Sequence, residues 1–341
     1  MRVGWLDTAK GLAIAGIVLI HATSWSPSPS PEATWLLQRF LASLPVFFLV
    51  SGIVSGRSLT DPAATVRTLA ARVLPLCYLY TLWQPVVLGY RVLRDVTAGT
   101  SVDLVGELLR VAASPIRPNG EIWYLWALAL HLVVIWATRR LPTAAVLIPT
   151  FVMCAALIGW GRTALGDDTW HVLGPGLQGL PLYLFFTVVG ARAASPIVAR
   201  VERTGPTTSV CALVLWAVLG ELHARLGGVA QPAVGVVQTM VGTVAVLLAA
   251  RTATRYAWAT PISALGRWSV VPYLTHTAII GVTLAAALWS GAMPLLVAHP
   301  TLTVAGLTIL GTTFGLVAFV PLRNTPVAFA FRLPSRRRVQ A

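Results

Sequence analysis

Charged residues are scarce in this chain of 341 residues. Asp, Glu, Lys and Arg make up 11% of it, whereas hydrophobic residues make up 56% and the mean hydropathy is +0.77. A soluble globular domain carries roughly 25% charged residues. Charge at less than half that level cannot cover the surface of a soluble protein of this length. The composition therefore excludes a soluble globular protein and predicts a multi-pass protein of the cytoplasmic membrane.

Cysteine is also scarce, and the motifs of several enzyme classes are missing. Cys77, Cys154 and Cys211 each lie inside an apolar run and form no Cys-x-x-Cys pair. This spacing is not that of a disulfide framework or a zinc site, so we interpret all three as small buried apolar residues. No Walker loop, GxSxG elbow, HExxH or dinucleotide fingerprint occurs in a suitable context. We expect no bound metal.

Lysine occurs once, at position 10, beside 24 arginines. The net charge of +14 is of the kind found in nucleic-acid-binding proteins. Here, however, the arginines lie between apolar runs. That distribution favours membrane topology, and we expect a lipid bilayer rather than nucleic acid as the partner.

Apolar runs of about 20 residues, the length that crosses a bilayer core of roughly 30 Å, recur along the chain. They predict an all-α polytopic bundle of about ten transmembrane helices. The predicted spans cover residues 8–25, 35–56, 72–93, 121–138, 142–161, 176–194, 208–225, 230–250, 269–289 and 302–322.

The arginines alternate between the two sides of this predicted bundle. Segments on the side of the N-terminus carry 17 arginines and those on the opposite side carry 7. Because cytoplasmic loops are enriched in Lys and Arg, both termini are predicted to be cytoplasmic. We divide the chain into a transmembrane domain, 1–325, and a basic cytoplasmic tail, 326–341. The cluster Arg336–Arg338 in that tail is expected to lie on anionic lipid.

Ionisable residues inside a span cost at least about 2.5–3.5 kcal/mol and therefore need an explanation. Lys10 and His21 lie eleven residues apart in the first span. On a helix this spacing is three turns plus about 20°, so both side chains face one side, about 16 Å apart along the axis. Such an arrangement is typical of a ligand channel open to the cytosol. The alternatives are a Lys10 side chain that reaches the interface and a structurally satisfied His21.

A second histidine reaches a similar predicted depth. His276 follows Arg267 by nine residues in the ninth span, which places it about 14 Å into the bilayer from the same side. The two histidines could then share one cavity. His131 and His223 are interpreted as structural.

Two further segments carry polar groups next to aromatic residues. The second span contains Phe47–Gly52, whose Ser51-Gly52 step permits close approach of a ligand or of another helix. Glu121, Trp123 and Tyr124 open the fourth span, where an aromatic belt is expected and where a sugar site is the alternative.

Three arginines, Arg57, Arg67 and Arg72, follow the second span. Arginine binds phosphate bidentately, so this cluster could hold a phosphorylated ligand. The positive-inside rule explains the same arginines without a ligand.

Together these segments resemble acyltransferase family 3, a family of integral membrane O-acyltransferases. The resemblance covers most of the chain and is carried by four motifs in the family's order. They are Lys10 with His21, Phe47–Gly52, Trp123–Leu125, and Gly266–Ser269 with Tyr273–His276. The family often shows an Arg-x-x-Arg pair after the second helix, whereas this chain has Arg67-x4-Arg72. The chain resembles the stand-alone members that acetylate sugars or glycosylated small molecules.

The resemblance implies transfer of an acyl group, expected to be acetyl from acetyl-CoA, to a hydroxyl of a carbohydrate or glycosylated acceptor. His21 is then the expected general base, and His276 orients it or shares the proton. Ser51 or Tyr273 donates to the oxyanion. The expected CoA-binding residues are Lys10, Arg57, Arg67 and Arg72, and the expected acceptor-binding residues are Glu121, Trp123 and Tyr124.

A proton-coupled secondary transporter or flippase is the alternative function. In such a protein, intramembrane Lys and His side chains relay protons and no acyl group is transferred.

Overall fold

The computed structural model describes residues 3–40, 42–228 and 230–333, and the predictions for Arg336–Arg338 fall outside them. This part of the chain is helical and contains no β-strand. Its α-helices are α1 Gly4–Trp25, α2 Pro31–Arg39, α3 Ser43–Ser51, α4 Val66–Leu82, α5 Gln84–Thr97, α6 Leu104–Ala113, α7 Trp123–Ala137, α8 Thr143–Leu165, α9 Asp167–Arg192, α10 Ala194–Arg203, α11 Pro206–Arg225, α12 Ala230–Ala253, α13 Thr260–Arg267, α14 Val270–Trp289, α15 Met293–Ala298 and α16 Pro300–Leu322.

Seven of the described helices are long and apolar enough to cross a membrane: α1, α8, α9, α11, α12, α14 and α16. An eighth span results if α2 and the helical segment Ser43–Leu59 count as one, although they are bent by 48°. The chain is therefore a multi-pass membrane protein. The count of about ten spans stays a prediction.

The predicted third and fourth spans differ from the continuous helices that we expected. The third is divided at Trp83 into α4 and α5. Pro85 lies in the first turn of α5, where its ring and missing N–H prevent a continuous hydrogen-bond ladder from α4. The fourth, α7, has 15 residues and is about 22 Å long, which is shorter than the bilayer core.

The described ends of the chain meet at one end of the bundle. Lys10, near the start of α1, lines the same cavity as Arg323 and Arg332, which follow α16. We call this the Lys10 end. The opposite end, toward which α1 runs and where His21 lies, is the His21 end. That the Lys10 end faces the cytoplasm stays a prediction.

Helix α1 lies inside the bundle, packed against α3, α12, α13, α14 and α16. In its contact with α13, glycines let the backbones of the two helices touch directly. A Cβ at Gly266 would lie 1.6 Å from the carbonyl oxygen of Asp7, and one at Gly11 would lie 2.0 Å from that of Ile262. Only glycine permits this approach, which fixes the Lys10 turn of α1 against the end of α13.

A second glycine contact joins α3 to α9. A Cβ at Gly52 would lie 2.2 Å from the carbonyl oxygen of Thr187, and one at Gly190 would lie 2.1 Å from that of Leu49. Of the two roles considered for the Ser51-Gly52 step, Gly52 therefore serves helix packing.

The prediction that all three cysteines are buried was wrong for two of them. Cys154 is buried, whereas Cys77 and Cys211 are exposed on α4 and α11. An apolar run in a membrane protein does not distinguish a face that packs on protein from a face that meets lipid, because lipid tails are as apolar as the protein core.

The α3–α9 contact predicts a position-specific effect of adding one methyl group. Gly190→Ala should lower the free energy of unfolding by about 1–3 kcal/mol, because the new Cβ overlaps the backbone of α3. Gly306→Ala is the matched control, since apart from its chain neighbours and the nearby backbone of its own helix no described atom lies within 4 Å of its added Cβ. Thermal unfolding in detergent measures both, and equal Tm values for the two variants would contradict the contact.

Candidate active site

Two histidines are in contact inside the bundle. The rings of His21 on α1 and His276 on α14 have centroids 5.1 Å apart and planes inclined at 42°. This is the juxtaposition expected from their similar predicted depths. His21 lines a cavity at the His21 end, whereas His276 is fully buried behind it.

The hydrogen bonds of His276 show which of its ring nitrogens carries the proton when the imidazole is neutral. Its Nδ1 lies 2.9 Å from the carbonyl oxygens of both Pro272 and Tyr273. Carbonyl oxygens only accept, so Nδ1 carries the proton and Nε2 presents a lone pair. Nε2 is buried and has no hydrogen-bond partner among the described residues. A basic nitrogen is thereby held next to His21.

The cavity that His21 lines, which we call the outer cavity, has a volume of about 680 Å³. Four other predicted site residues line it: Glu121, Trp123, Tyr124 and Tyr273. Several further polar residues that line it were not predicted from the sequence: Arg91, Arg110, Arg117, Asn119 and His171. The structure thus gathers the predicted base and the predicted acceptor-binding residues around one space.

Tyr273 fixes the wall of the outer cavity at the start of α7. Its hydroxyl donates to the carbonyl oxygen of Glu121 at 2.8 Å and accepts from the backbone N–H of Tyr124 at 3.1 Å. The hydroxyl of Tyr90 donates to the Glu121 carboxylate. Trp123 is held from the other side, because its ring packs against Gly179 of α9. These contacts place the three acceptor-binding candidates on a rigid turn.

A narrow cavity of about 180 Å³ lies on the Lys10 side of this wall. Ser51 lines it, and the Ser51 Oγ lies 2.5 Å from the Tyr124 hydroxyl. Tyr124 and Tyr273 line both the narrow and the outer cavity. The two rings are therefore the layer that separates these spaces.

Lys10 lies where several cavities meet. It lines the narrow cavity and also a basic cavity of about 480 Å³ at the Lys10 end. Its Nζ is 3.1 Å from the Oδ1 of the buried Asp7. The residues thus form a series of adjoining cavities from the Lys10 end to His21, as the predicted common face of Lys10 and His21 requires.

The three predicted phosphate-binding arginines do not come together in one site. Arg57 lines a further cavity of about 650 Å³ with Lys10. Arg67 and Arg72 are exposed on α4 and line none of the cavities described above. The arginines that line the basic cavity are instead Arg267, Arg323 and Arg332. Nothing in the sequence pattern distinguishes these three from arginines that only set topology.

His131, in contrast, is satisfied by the protein itself. It is fully buried, with Nε2 2.7 Å from the Leu180 carbonyl oxygen and Nδ1 2.8 Å from the Thr187 hydroxyl. Nε2 therefore donates and Nδ1 accepts. These contacts agree with the structural role predicted for His131.

A buried carboxylate organises the arginines beside the outer cavity. Glu107 on α6 accepts two hydrogen bonds from Arg91, at 2.7 and 3.0 Å, and one from Arg110 at 2.9 Å. The hydrogen bonds from Arg91 hold the pKa of Glu107 below its ordinary value, although burial opposes this shift. The carboxylate therefore stays ionised and ties α6 to α5.

These features define a multi-pass membrane protein with a polar site inside its helical bundle. The family model described as an acyltransferase domain matches residues 3–321, essentially the whole chain. The chain therefore belongs to acyltransferase family 3, which confirms the resemblance carried by its four motifs and implies a membrane acyltransferase. Comparisons with curated proteins and with solved structures gave no significant match.

The Glu107 cluster predicts a pH-dependent stability difference. Glu107→Gln should lower the free energy of unfolding by about 1–3 kcal/mol at neutral pH, because it leaves two arginines without their carboxylate. A carboxyl group with a lowered pKa stabilises the fold above its unfolded-state pKa, and this contribution is lost as the pH falls through the folded-state pKa. The difference in Tm between wild type and variant should therefore shrink below about pH 4.5.

The control for this measurement is Glu202→Gln, because Glu202 is exposed. Its effect on unfolding should stay within about 0.5 kcal/mol. A Glu107→Gln deficit that stays constant from pH 7 down to about pH 3, below the folded-state pKa, would show that the carboxylate charge is not what holds α6.

Proposed function

We propose that this protein is a membrane O-acyltransferase that moves an acetyl group from acetyl-CoA at the Lys10 end to a hydroxyl of a carbohydrate or glycosylated acceptor in the outer cavity. Family membership supports acyl transfer. The observation that carries the proposal is the His21–His276 pair beside the outer cavity, joined to Lys10 through cavities with shared lining residues.

The proposed chemistry starts from the weak nucleophilicity of a hydroxyl group, which needs a base. Neutral imidazole is suited to this role near pH 7. His21 takes the proton as the acceptor oxygen attacks the thioester carbonyl. The new C–O bond forms, the C–S bond breaks, and the departing CoA sulfur receives a proton. His276 orients His21 through its Nε2 lone pair or shares the proton that His21 takes from the acceptor hydroxyl.

The hydroxyl pair of Ser51 and Tyr124 is the proposed oxyanion donor. At 2.5 Å one hydroxyl donates to the other, so the accepting hydroxyl keeps its own O–H for another acceptor. This O–H lies in the wall between the narrow and outer cavities. Tyr273 was also predicted as a hydrogen-bond donor to the oxyanion. Its single O–H donates to the Glu121 carbonyl oxygen instead, so we assign it a positioning role.

The acceptor is proposed to bind in the outer cavity. Glu121 engages Tyr90 through Oε2, which leaves its other carboxylate oxygen for a sugar hydroxyl. Trp123 and Tyr124 supply aromatic surface in the same cavity. At the Lys10 end, Lys10 and Arg57 line one cavity, which supports a proposed role of both in binding the donor. Arg67 and Arg72 are exposed on α4, so we propose that they contact only parts of the donor that extend outside the bundle.

The alternative, a proton-coupled transporter or flippase, uses the same Lys10–His21 face but needs no acyl donor. Binding of acetyl-CoA separates the two functions. At 100 times its dissociation constant, acetyl-CoA should stabilise an acyltransferase by about 2.7 kcal/mol. Thermal unfolding of the purified protein with and without acetyl-CoA measures this, and an unchanged Tm at millimolar concentration would favour the transporter.

His21→Ala tests the proposed base. Water serves as a poor acceptor, so release of CoA from acetyl-CoA by purified protein reports transfer before the natural acceptor is known. The variant should release CoA at least 10²–10⁴ times more slowly, because the loss of general-base catalysis typically costs that factor. It should still be stabilised by acetyl-CoA. His299→Ala, in an exposed position outside the outer cavity, is the control and should keep the wild-type rate.

A further inference from the structure

The segment that follows α16 folds back onto the bundle. We call residues 323–333 the C-terminal strap. They lie beyond residues 3–321, which the family model matches. The Trp83 indole N–H donates to the carbonyl oxygen of Ala330 at 2.6 Å, and the Tyr78 hydroxyl donates to that of Phe329 at 3.1 Å. The strap is therefore anchored where α4 meets α5.

Aromatic contacts also join the strap to residues that line the basic cavity. The ring of Phe331 packs on Trp83 and Phe319, at centroid distances of 5.5 and 4.7 Å. Phe319 packs in turn on Trp268, at 5.7 Å. Phe319, Phe331 and Trp268 all line the basic cavity. The strap thus forms one wall of this cavity, and the end of α13 forms another.

Four cations surround the cavity: Lys10, Arg267, Arg323 and Arg332. Among the residues that the structure describes, no carboxylate lines it. Lys10 is paired with Asp7, whereas the described part of the chain shows no ion pair for the three arginines. Arg332 donates to the carbonyl oxygen of Arg323 at 3.1 Å, which holds two of them together.

Like charges gathered without acidic partners raise the local potential and attract anions. Arginine is suited to phosphate because its planar fork donates two parallel hydrogen bonds. The positive-inside rule explains arginines at this end of the bundle. It does not explain why a folded strap carries two arginines to a cavity that Arg267 also lines.

The position of the cavity indicates which phosphate compound it takes. Lys10, Ser269 and Val270 line both the basic and the narrow cavity. A ligand with its phosphates at the arginines can therefore extend an arm past Lys10 toward Ser51 and Tyr124. A nucleotide thioester such as acetyl-CoA has this form, with phosphates at one end and the acyl group at the end of a long arm.

We propose that the C-terminal strap completes the donor site, with Arg267, Arg323 and Arg332 binding the phosphate groups of the acyl-CoA. This inference rests on the proposed function and deepens it. It assigns the phosphates to the strap and the end of α13, and not to Arg67 and Arg72 on α4. The phosphate of an anionic lipid headgroup has the same chemistry and is the other source that the test must separate.

The test compares variants of exposed arginines in CoA release from acetyl-CoA. Arg323→Gln/Arg332→Gln should raise the KM for acetyl-CoA at least tenfold and leave kcat within about twofold of wild type. Arg200→Gln/Arg203→Gln, with two exposed arginines on α10, is the matched control and should keep the wild-type KM. Arg323→Lys/Arg332→Lys keeps the charge and should recover part of the loss.

A second measurement reads binding without turnover. Adenosine 3′,5′-bisphosphate, a mimic of the nucleotide end of CoA, should raise the Tm of wild type but not that of the Arg323→Gln/Arg332→Gln variant. A Tm increase with phosphatidylglycerol that this variant loses, together with an unchanged KM for acetyl-CoA, would assign the cavity to lipid and overturn the inference. A rise in KM only for Arg67→Gln/Arg72→Gln would also overturn it.

The two proposals fail in different ways. If wild type releases CoA and the strap variant has the same KM, the strap inference is wrong and the acyltransferase function stands. If wild type neither binds nor cleaves acetyl-CoA, the donor assignment and the strap inference both fall.

Discussion

The backbone contact between α1 and α13 is the constraint on which the rest of the site depends. Gly11 and Gly266 let the two helices touch without side chains between them. Helix α1 carries Lys10 and His21. The chain after α13 turns directly into α14, which carries His276. One contact therefore sets the distance between the cations at the Lys10 end and, further along the same two segments, the distance between the histidines.

The parts of this arrangement that follow from helix geometry could be predicted from the sequence. The common face of Lys10 and His21 and the depth of His276 need only a fixed rise and turn per residue. The exposure of Cys77 and the path of the strap could not be predicted in this way. They depend on which neighbour a helix meets, and an apolar run has the same pattern whether it faces lipid or protein. The hydrogen bond that commits Tyr273 to Glu121 likewise joins residues far apart in the chain.

The arginines at the two ends of the bundle differ in whether a carboxylate balances their charge. At the His21 end, Arg91 and Arg110 share the carboxylate of Glu107, so much of their charge is balanced within the fold. At the Lys10 end, the described residues that line the basic cavity include no carboxylate to balance its arginines. The ion pairs at the His21 end stabilise the packing of helices. The arginines on the strap at the Lys10 end are positioned by other contacts, namely the aromatic packing of the strap. The same residue type therefore stabilises the fold at one end and creates a potential at the other.

The layer formed by Tyr124 and Tyr273 has a consequence for the length of the transferred chain. Both rings are fully packed, and the Tyr273 hydroxyl is tied to the backbone at the start of α7. A two-carbon acyl group needs little space beside rings held in this way. A chain too long for the narrow cavity would have to displace Tyr273 and, with it, the turn that carries Glu121. Chain-length selectivity in such a protein would be a property of backbone rigidity, and loosening that turn would broaden the range of donors while disturbing the proposed acceptor site.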